Sequence, residues 1–244
     1  PNRNILFYTL LYLKQSYHKK IIKKHIDYFL TPSDNLTQFV KTHFQKQGKT
    51  LPNPLLIEKH LTSNNEDKYI LFIGRLVPEK GVLTLIKAFQ NIAIKFPNEH
   101  LWIVGDGVQK EELENFTKNN NIANVSFLGN KNREELQEIY LNSKFSVVPS
   151  EYLESYGNVI LESLSFGKTV ITSDLVGIKN EIELNRVGLT YPFNNQKALE
   201  ENMLQLLTNS ELKNELVNNI PSYLATKTFE KHFIELTEVY ENLF

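Results

Sequence analysis

The sequence predicts an α/β fold built on a doubly wound, Rossmann-like parallel sheet. Three observations carry this. From residue 68 onward, short apolar and partly β-branched runs recur, each closed by Gly, Pro, Ser or Asp. Stretches with helical period lie between them, and alternation of the two patterns is the signature of a parallel sheet with helices on both faces. The chain is also 41% hydrophobic over 244 residues, enough apolar material for a real core.

Taken in order, residues 5–26 read as a basic amphipathic helix or a pair of turns, with apolar and aromatic residues first and Lys19, Lys20, Lys23 and Lys24 after them. Tyr28, Phe29 and Leu30 form a short strand-like run ending in Thr31-Pro32-Ser33. Ser33 or Asp34 can cap a helix over roughly 35–46. Residues 47–68, rich in Gly, Pro, Asn and Ser, read as a linker with little regular structure. The expected strands are Tyr69–Ile73, Leu101–Val104, Val125–Leu128, Phe145–Val148 and Thr169–Thr172. The expected helices cover 81–95, 109–119, 133–141 and 157–166, a short one holds Glu181, and three more follow at about 195–208, 210–223 and 229–243.

Composition excludes several classes. The chain has no cysteine, so neither a disulfide scaffold nor a thiolate metal or redox site is possible, and a reducing compartment is the simplest fit. The six histidines are scattered and suggest no metal site. No apolar run reaches the ~18 residues of a membrane span. The net charge of -1 hides a split: residues 1–60 hold 10 Lys/Arg and 3 Asp/Glu, a net of +7, while 61–244 hold 17 and 25, a net of -8. The whole is not basic enough to argue for nucleic acid.

In a doubly wound sheet, ligands sit beyond the carboxyl ends of the strands, so the loops there carry the chemistry. The first loop runs Gly74-Arg75-Leu76-Val77-Pro78-Glu79-Lys80-Gly81. Arg75 offers a planar fork for phosphate oxygens and Lys80 a mobile point charge, so the two could pinch a diphosphate; equally, Glu79 and Lys80 could be a solvated first turn. Gly105-Asp106-Gly107 lacks the third glycine of the dinucleotide fingerprint and reads as a tight turn. Gly129-Asn130-Lys131 opens a helix whose Glu134 and Glu135 suit its dipole.

The loop Pro149–Glu162 is the most informative. Gly157 opens a helix, and N–H groups over 156–159 (Tyr156, Gly157, Asn158 and Val159) would form an anion site. Glu162 follows about one and a half turns on, where a carboxylate can accept from two vicinal hydroxyls. Glu154 is placed to meet whatever is attached to the anion. The plainer alternatives are a dipole partner for Glu154 and a solvated position for Glu162, although Leu161, Leu164 and Phe166 make that helix largely apolar. Ser173-Asp174-Leu175-Val176-Gly177 reads either as a site loop or as a polar turn.

Together these loops resemble the donor-binding domain of retaining GT-B glycosyltransferases of the large family four. The signatures are GRLVPEKG (74–81), VGDG (104–107), FLG (127–129), VPSEYLESYGNVILE (148–162), SFGKTVITSD (165–174) and GLTYP (188–192). The resemblance covers about residues 69–208. It implies that Gly74, Arg75 and Lys80 line and hold the donor diphosphate, that Ser155, Tyr156, Gly157, Asn158 and Val159 supply contacts to phosphate or sugar, and that Glu162 binds ribose. Glu154 would contact donor-sugar hydroxyls near the reacting carbon, and Leu128 and Asn130 would meet the base. Glu154, Arg75 and Lys80 are the expected catalytic residues. No DxD motif is present and no metal or other cofactor is expected. Leu175-Val176-Gly177 departs from the family's paired glycines.

The same resemblance divides the chain into a remnant of an acceptor domain (1–52), a donor-binding domain (53–224) and a crossover helix (225–244), with the missing initiator Met fitting a fragment. The expected partners are a nucleotide sugar, UDP-linked for preference, a glycan or lipid-linked acceptor, and the rest of the amino-terminal domain. The basic helix 5–26 either lies on an anionic membrane surface or has an apolar face that the remainder of that domain covers. The implied function is sugar transfer with retention in bacterial surface polysaccharide synthesis, in the cytoplasm or at the inner face of the membrane, with the 244-residue piece weakly active or inactive alone. The alternatives are an epimerase or phosphorylase of the same fold, or a non-catalytic nucleotide-sugar-binding module.

Overall fold

The computed structural model describes residues 14, 16–55 and 67–243. Two compact units divide the chain, Pro1–Pro52 and Asn53–Phe244. Among the described residues, no helix is long and apolar enough to cross a membrane.

In the first unit, residues 16–25 are helical (α1); the earlier part of the basic helix expected over 5–26 lies outside the described residues. Tyr17 and Ile21, one turn apart on α1, are exposed. Strand β1 (Tyr28–Thr31) leads into α2 (Asp34–Phe44), and β2 (Gln47–Thr50) returns to pair with β1 in parallel, Tyr28 opposite Gln47 and Thr31 opposite Thr50. The expectation of a linker from residue 47 is corrected here. Gln-Gly-Lys-Thr has no apolar signature, and it becomes a strand because β1 offers it a backbone ladder. Residues 56–66 of that stretch lie outside the described residues. Ser33 is the N-cap of α2, but its hydroxyl makes no capping bond. Local order comes instead from a hydroxyl chain in which Thr37 bonds both Thr31 and Thr50, and Thr50 donates to Asp34 at 2.6 Å.

The second unit holds six parallel strands in the order β5-β4-β3-β6-β7-β8. These are β3 (Tyr69–Ile73), β4 (Leu101–Val104), β5 (Val125–Gly129), β6 (Ser143–Val148), β7 (Val170–Ser173) and β8 (Gly188–Tyr191). The last was not expected as a strand. Between them run α3 (Val82–Lys95), α4 (Lys110–Asn119), α5 (Arg133–Leu141), α6 (Asn158–Ser165) and α7 (Lys179–Asn185), followed by α8 (Gln196–Thr208), α9 (Ser210–Leu224) and α10 (Phe229–Leu243).

Strand periodicity explains how the sheet is covered on both sides. Ile70 and Phe72 of β3 join one apolar cluster with Leu85, Ile86 and Phe89 of α3 and Met203 of α8. Tyr69 and Leu71 join another with Ile139 and Tyr140 of α5. Helix α5 starts in a capping box: Asn132 accepts from the Glu135 N–H, and Glu135 accepts from the Asn132 N–H, each at 3.0 Å. Glu135 therefore serves its own helix start. The chain winds outward from β3 to β5 and then crosses to β6, so the direction of winding switches between β3 and β6, and the loops after these two strands stand side by side.

Candidate active site

Gly81 explains why the loops after β3 and β6 touch. It adopts φ +67°, and a Cβ there would lie 2.0 Å from the Pro149 carbonyl oxygen. Only glycine tolerates both the left-handed backbone and that approach. The loops are then stitched together: the Glu151 N–H donates to the Glu79 carbonyl at 2.8 Å, and the Thr84 hydroxyl donates to Glu151 at 2.5 Å. A 3-10 turn, Pro78–Lys80, delivers Lys80 across the junction.

Lys80 Nζ meets Glu154 Oε1 at 2.8 Å, with the side chains 16% and 14% exposed. Partial burial strengthens this pair relative to a surface one. The other Glu154 oxygen accepts from the Ser150 hydroxyl at 2.5 Å. The Glu154 backbone N–H donates to the Leu175 carbonyl, which brings the loop after β7 to the same place. Lys80 Nζ also lies 5.3 Å from the centre of the Tyr152 ring. An ammonium group has three donors, so the Glu154 bond leaves capacity for a further anion. Arg75 is exposed, and among the described residues its side chain has no hydrogen-bond or ion-pair partner. Gly74, just before it, accommodates the next loop: a Cβ on Gly105 would sit 1.9 Å from the Gly74 oxygen. The Gly105-Asp106-Gly107 loop is thus a tightly packed turn.

Gly157, at φ +104°, begins α6, with Val176 packed where its Cβ would go. The first N–H groups of a helix have no intrahelical acceptor, so those of Asn158 and Val159 are available at this end. Asn158 accepts from the Asn53 side chain at 2.8 Å, and Ser155 is exposed. Tyr156 turns inward. Its ring is buried, its hydroxyl donates to the Asn53 carbonyl at 3.4 Å, and burial together with the Glu181 charge pushes its ionisation far above the ordinary tyrosine range. Any contact from this residue to a ligand at the helix start is therefore a backbone one.

Glu162, half-buried, accepts from the Tyr140 hydroxyl at 2.9 Å. It lines a cavity of about 550 Å³ with Asn53, Arg133, Gln137, Tyr140 and Asn158 among others. Lys80 and Glu154 do not line it, so the carboxylates of Glu154 and Glu162 stand at different places around the start of α6. Leu128 lines a separate hollow of about 330 Å³ beside Tyr69 and Trp102, and Asn130 is exposed after β5. The structure does not bring these two to the Glu162 cavity. Sequence reasoning missed Arg133, Gln137 and Tyr140. Their spacing of four and three residues along α5 puts them on one helix face, which was the available signal.

Residues 56–223 match the family model described as glycosyl transferases group 1.

The chain belongs to the glycosyl transferases group 1 family.

Within this group 1 family, the chain is 30% identical over 222 residues to an uncharacterised glycosyltransferase of Methanocaldococcus jannaschii, covering 88% of this chain and 62% of that protein. It is 27% identical to the capsular polysaccharide biosynthesis glycosyltransferase CapM of Staphylococcus aureus, covering 77% of this chain and 47% of CapM. The chain thus spans about half to three-fifths of the length of these relatives. Among solved structures, a TarM variant of S. aureus in complex with Fondaparinux, alpha-GlcNAc-glycerol and UDP superposes with a TM-score of 0.81 at 20% identity, over 93% of this chain and 46% of TarM. The shared architecture is the Rossmann-like GT-B sheet that group 1 glycosyltransferases use.

Proposed function

We propose that this chain supplies the nucleotide-sugar side of a glycosyltransferase, moving a sugar from a nucleotide-diphosphate donor, UDP-linked for preference, to a glycan or lipid-linked acceptor. The observation that carries the reading is the Lys80–Glu154 ion pair at the junction of the β3 and β6 loops, next to the start of α6. Arg75, Lys80 and the N–H groups of Gly157, Asn158 and Val159 take the diphosphate. Glu162 takes the ribose hydroxyls. Glu154, fixed by Lys80 and Ser150, takes hydroxyls of the donor sugar near its anomeric carbon.

Glycosyl transfer passes through an oxocarbenium-like transition state. Negative charge grows on the departing phosphate as the glycosidic bond breaks. Oriented cations and N–H groups stabilise that charge more in the transition state than in the ground state, and losing one such donor costs about 10²–10³ in rate. Lys80 can follow the charge, because its bond to Glu154 uses one of three N–H groups. Retention of configuration, absence of a metal requirement, and placement in surface polysaccharide synthesis at the inner face of the membrane complete the reading. The capsular role in CapM's name and the UDP in the TarM complex are consistent with it.

Calorimetry of UDP, GDP and ADP against the 244-residue chain tests this. UDP binding that is weakened in Arg75→Ala and in Lys80→Ala is the expected result. Failure of all three nucleotides to bind overturns the reading.

A further inference from the structure

Tyr140 is a buried hydroxyl that the donor-site reading does not use. Its ring is 2% exposed and stacks on Phe166, with centroids 5.1 Å apart and planes 12° from parallel. Neighbours on α5 and the sheet fix the rest of the residue: Ile139 is buried beside it, and the Ser143 hydroxyl donates to its carbonyl at 2.8 Å. The ring is thus packed with its hydroxyl directed at Glu162. Its hydroxyl donates to Glu162 Oε2 at 2.9 Å. Burial, and then the charge of Glu162, push the phenol well above the ordinary tyrosine range, so the group stays a donor throughout the working pH range.

Glutamate has three rotatable bonds, and a free carboxylate loses that freedom when it grips a ligand. Here one oxygen is already pinned. Among the described residues Oε1 has no partner, and it belongs to the side chain that lines the 550 Å³ cavity with Arg133 and Gln137. A carboxylate has about four lone-pair sites. One taken by tyrosine leaves enough for two hydroxyl donors while fixing the plane of the group.

We infer that Tyr140 is a positioning residue that presets the Glu162 carboxylate to receive the two ribose hydroxyls of the donor nucleotide. This rests on the reading above that Glu162 binds ribose. Tyr140 itself acts only through Glu162.

The test is calorimetric, on the 244-residue chain, with UDP and with 2′,3′-dideoxy-UDP, in wild type, Tyr140→Phe, Glu162→Gln and the double variant. Tyr140→Phe keeps the ring stacked on Phe166, and melting curves verify that it folds. The expected result is that Tyr140→Phe weakens UDP about tenfold, leaves the dideoxy nucleotide unchanged, and adds nothing in the Glu162→Gln background. A packing role would weaken both nucleotides alike, and that outcome overturns the inference. So does UDP binding in Tyr140→Phe equal to wild type while Glu162→Gln is weakened, an outcome that leaves the ribose reading standing. If wild type binds UDP and dideoxy-UDP equally and Glu162→Gln changes nothing, the ribose reading fails and takes this inference with it.

Discussion

Lys80 and Glu154, 74 positions apart in sequence, meet at 2.8 Å where the loops after β3 and β6 join. Each limits the other's freedom, and the function proposed above gives each a different part of the donor. Their variants should therefore separate. Lys80→Met leaves a largely buried carboxylate with, among the described residues, only the Ser150 hydroxyl as side-chain partner. It should cost about 2 kcal/mol of stability, below the cost for a fully buried pair because each side chain keeps some exposure, and weaken UDP about tenfold. Glu154→Gln should keep UDP affinity within about twofold, yet lower transfer at least 10²-fold in a chain that also carries the acceptor half. Urea unfolding, calorimetry and product formation measure the three quantities.

Two glycines with nearly the same φ should respond differently to alanine. Gly129 has φ +66° with none of the described residues within 4 Å of its Cβ position, whereas Gly81 has φ +67° with the Pro149 oxygen 2.0 Å away. Gly129→Ala should cost about 1 kcal/mol, the left-handed penalty alone. Gly81→Ala must also push the β3 and β6 loops apart, and should cost at least about 3 kcal/mol and reduce UDP binding. Urea midpoints for the pair isolate the steric part.

Asp67 gives the stability a pH dependence with a definite sign. Burial pushes the Asp67 carboxyl up, but hydrogen bonds and charge from Lys168 and Lys213 outweigh this and hold it below the usual aspartate range. A depressed folded value means that the contribution is complete above the unfolded carboxylate range and is lost as pH falls through Asp67's lower folded value. Asp67→Asn should be less stable than wild type by about 1–3 kcal/mol at pH 7. The gap should close on acidification below about pH 4. A gap that widens in acid would contradict the assignment.

Tyr156 should matter as a packed ring. Its hydroxyl bond to Asn53 is long, 3.4 Å. Tyr156→Phe should change stability by less than about 1 kcal/mol and leave UDP affinity unchanged. Tyr156→Ala should cost about 3–5 kcal/mol by opening a cavity beneath the start of α6. Thermal unfolding and calorimetry on both variants check the contrast.

Much of the fold was legible in the residues. Tyr69–Ile73, Leu101–Val104 and the α5 and α10 boundaries match the apolar pattern, because strands buried on both faces must be apolar throughout and helices on a sheet must repeat every 3.6 residues. Gln47–Thr50 and Gly188–Tyr191 were not read as strands. The first is polar, and the second is short and opens with glycine; each is held by a neighbouring strand that local pattern does not display.

The candidate site divides along the same line. The sequence alone marked the candidate loops: a cation loop after one strand, two carboxylates around a glycine that starts a helix, and the order that resembles a glycosyltransferase. Only the tertiary structure decided the partners. Lys80 pairs with Glu154 and not with its neighbour Glu79, Glu162 is held by Tyr140 from another helix, and Leu128 faces a different hollow from the one Glu162 lines. The physical reason is that strand order sets these pairings. Placing β3 beside β6 makes neighbours of loops some seventy residues apart, and side-chain contacts across that junction depend on sheet geometry that no local spacing encodes.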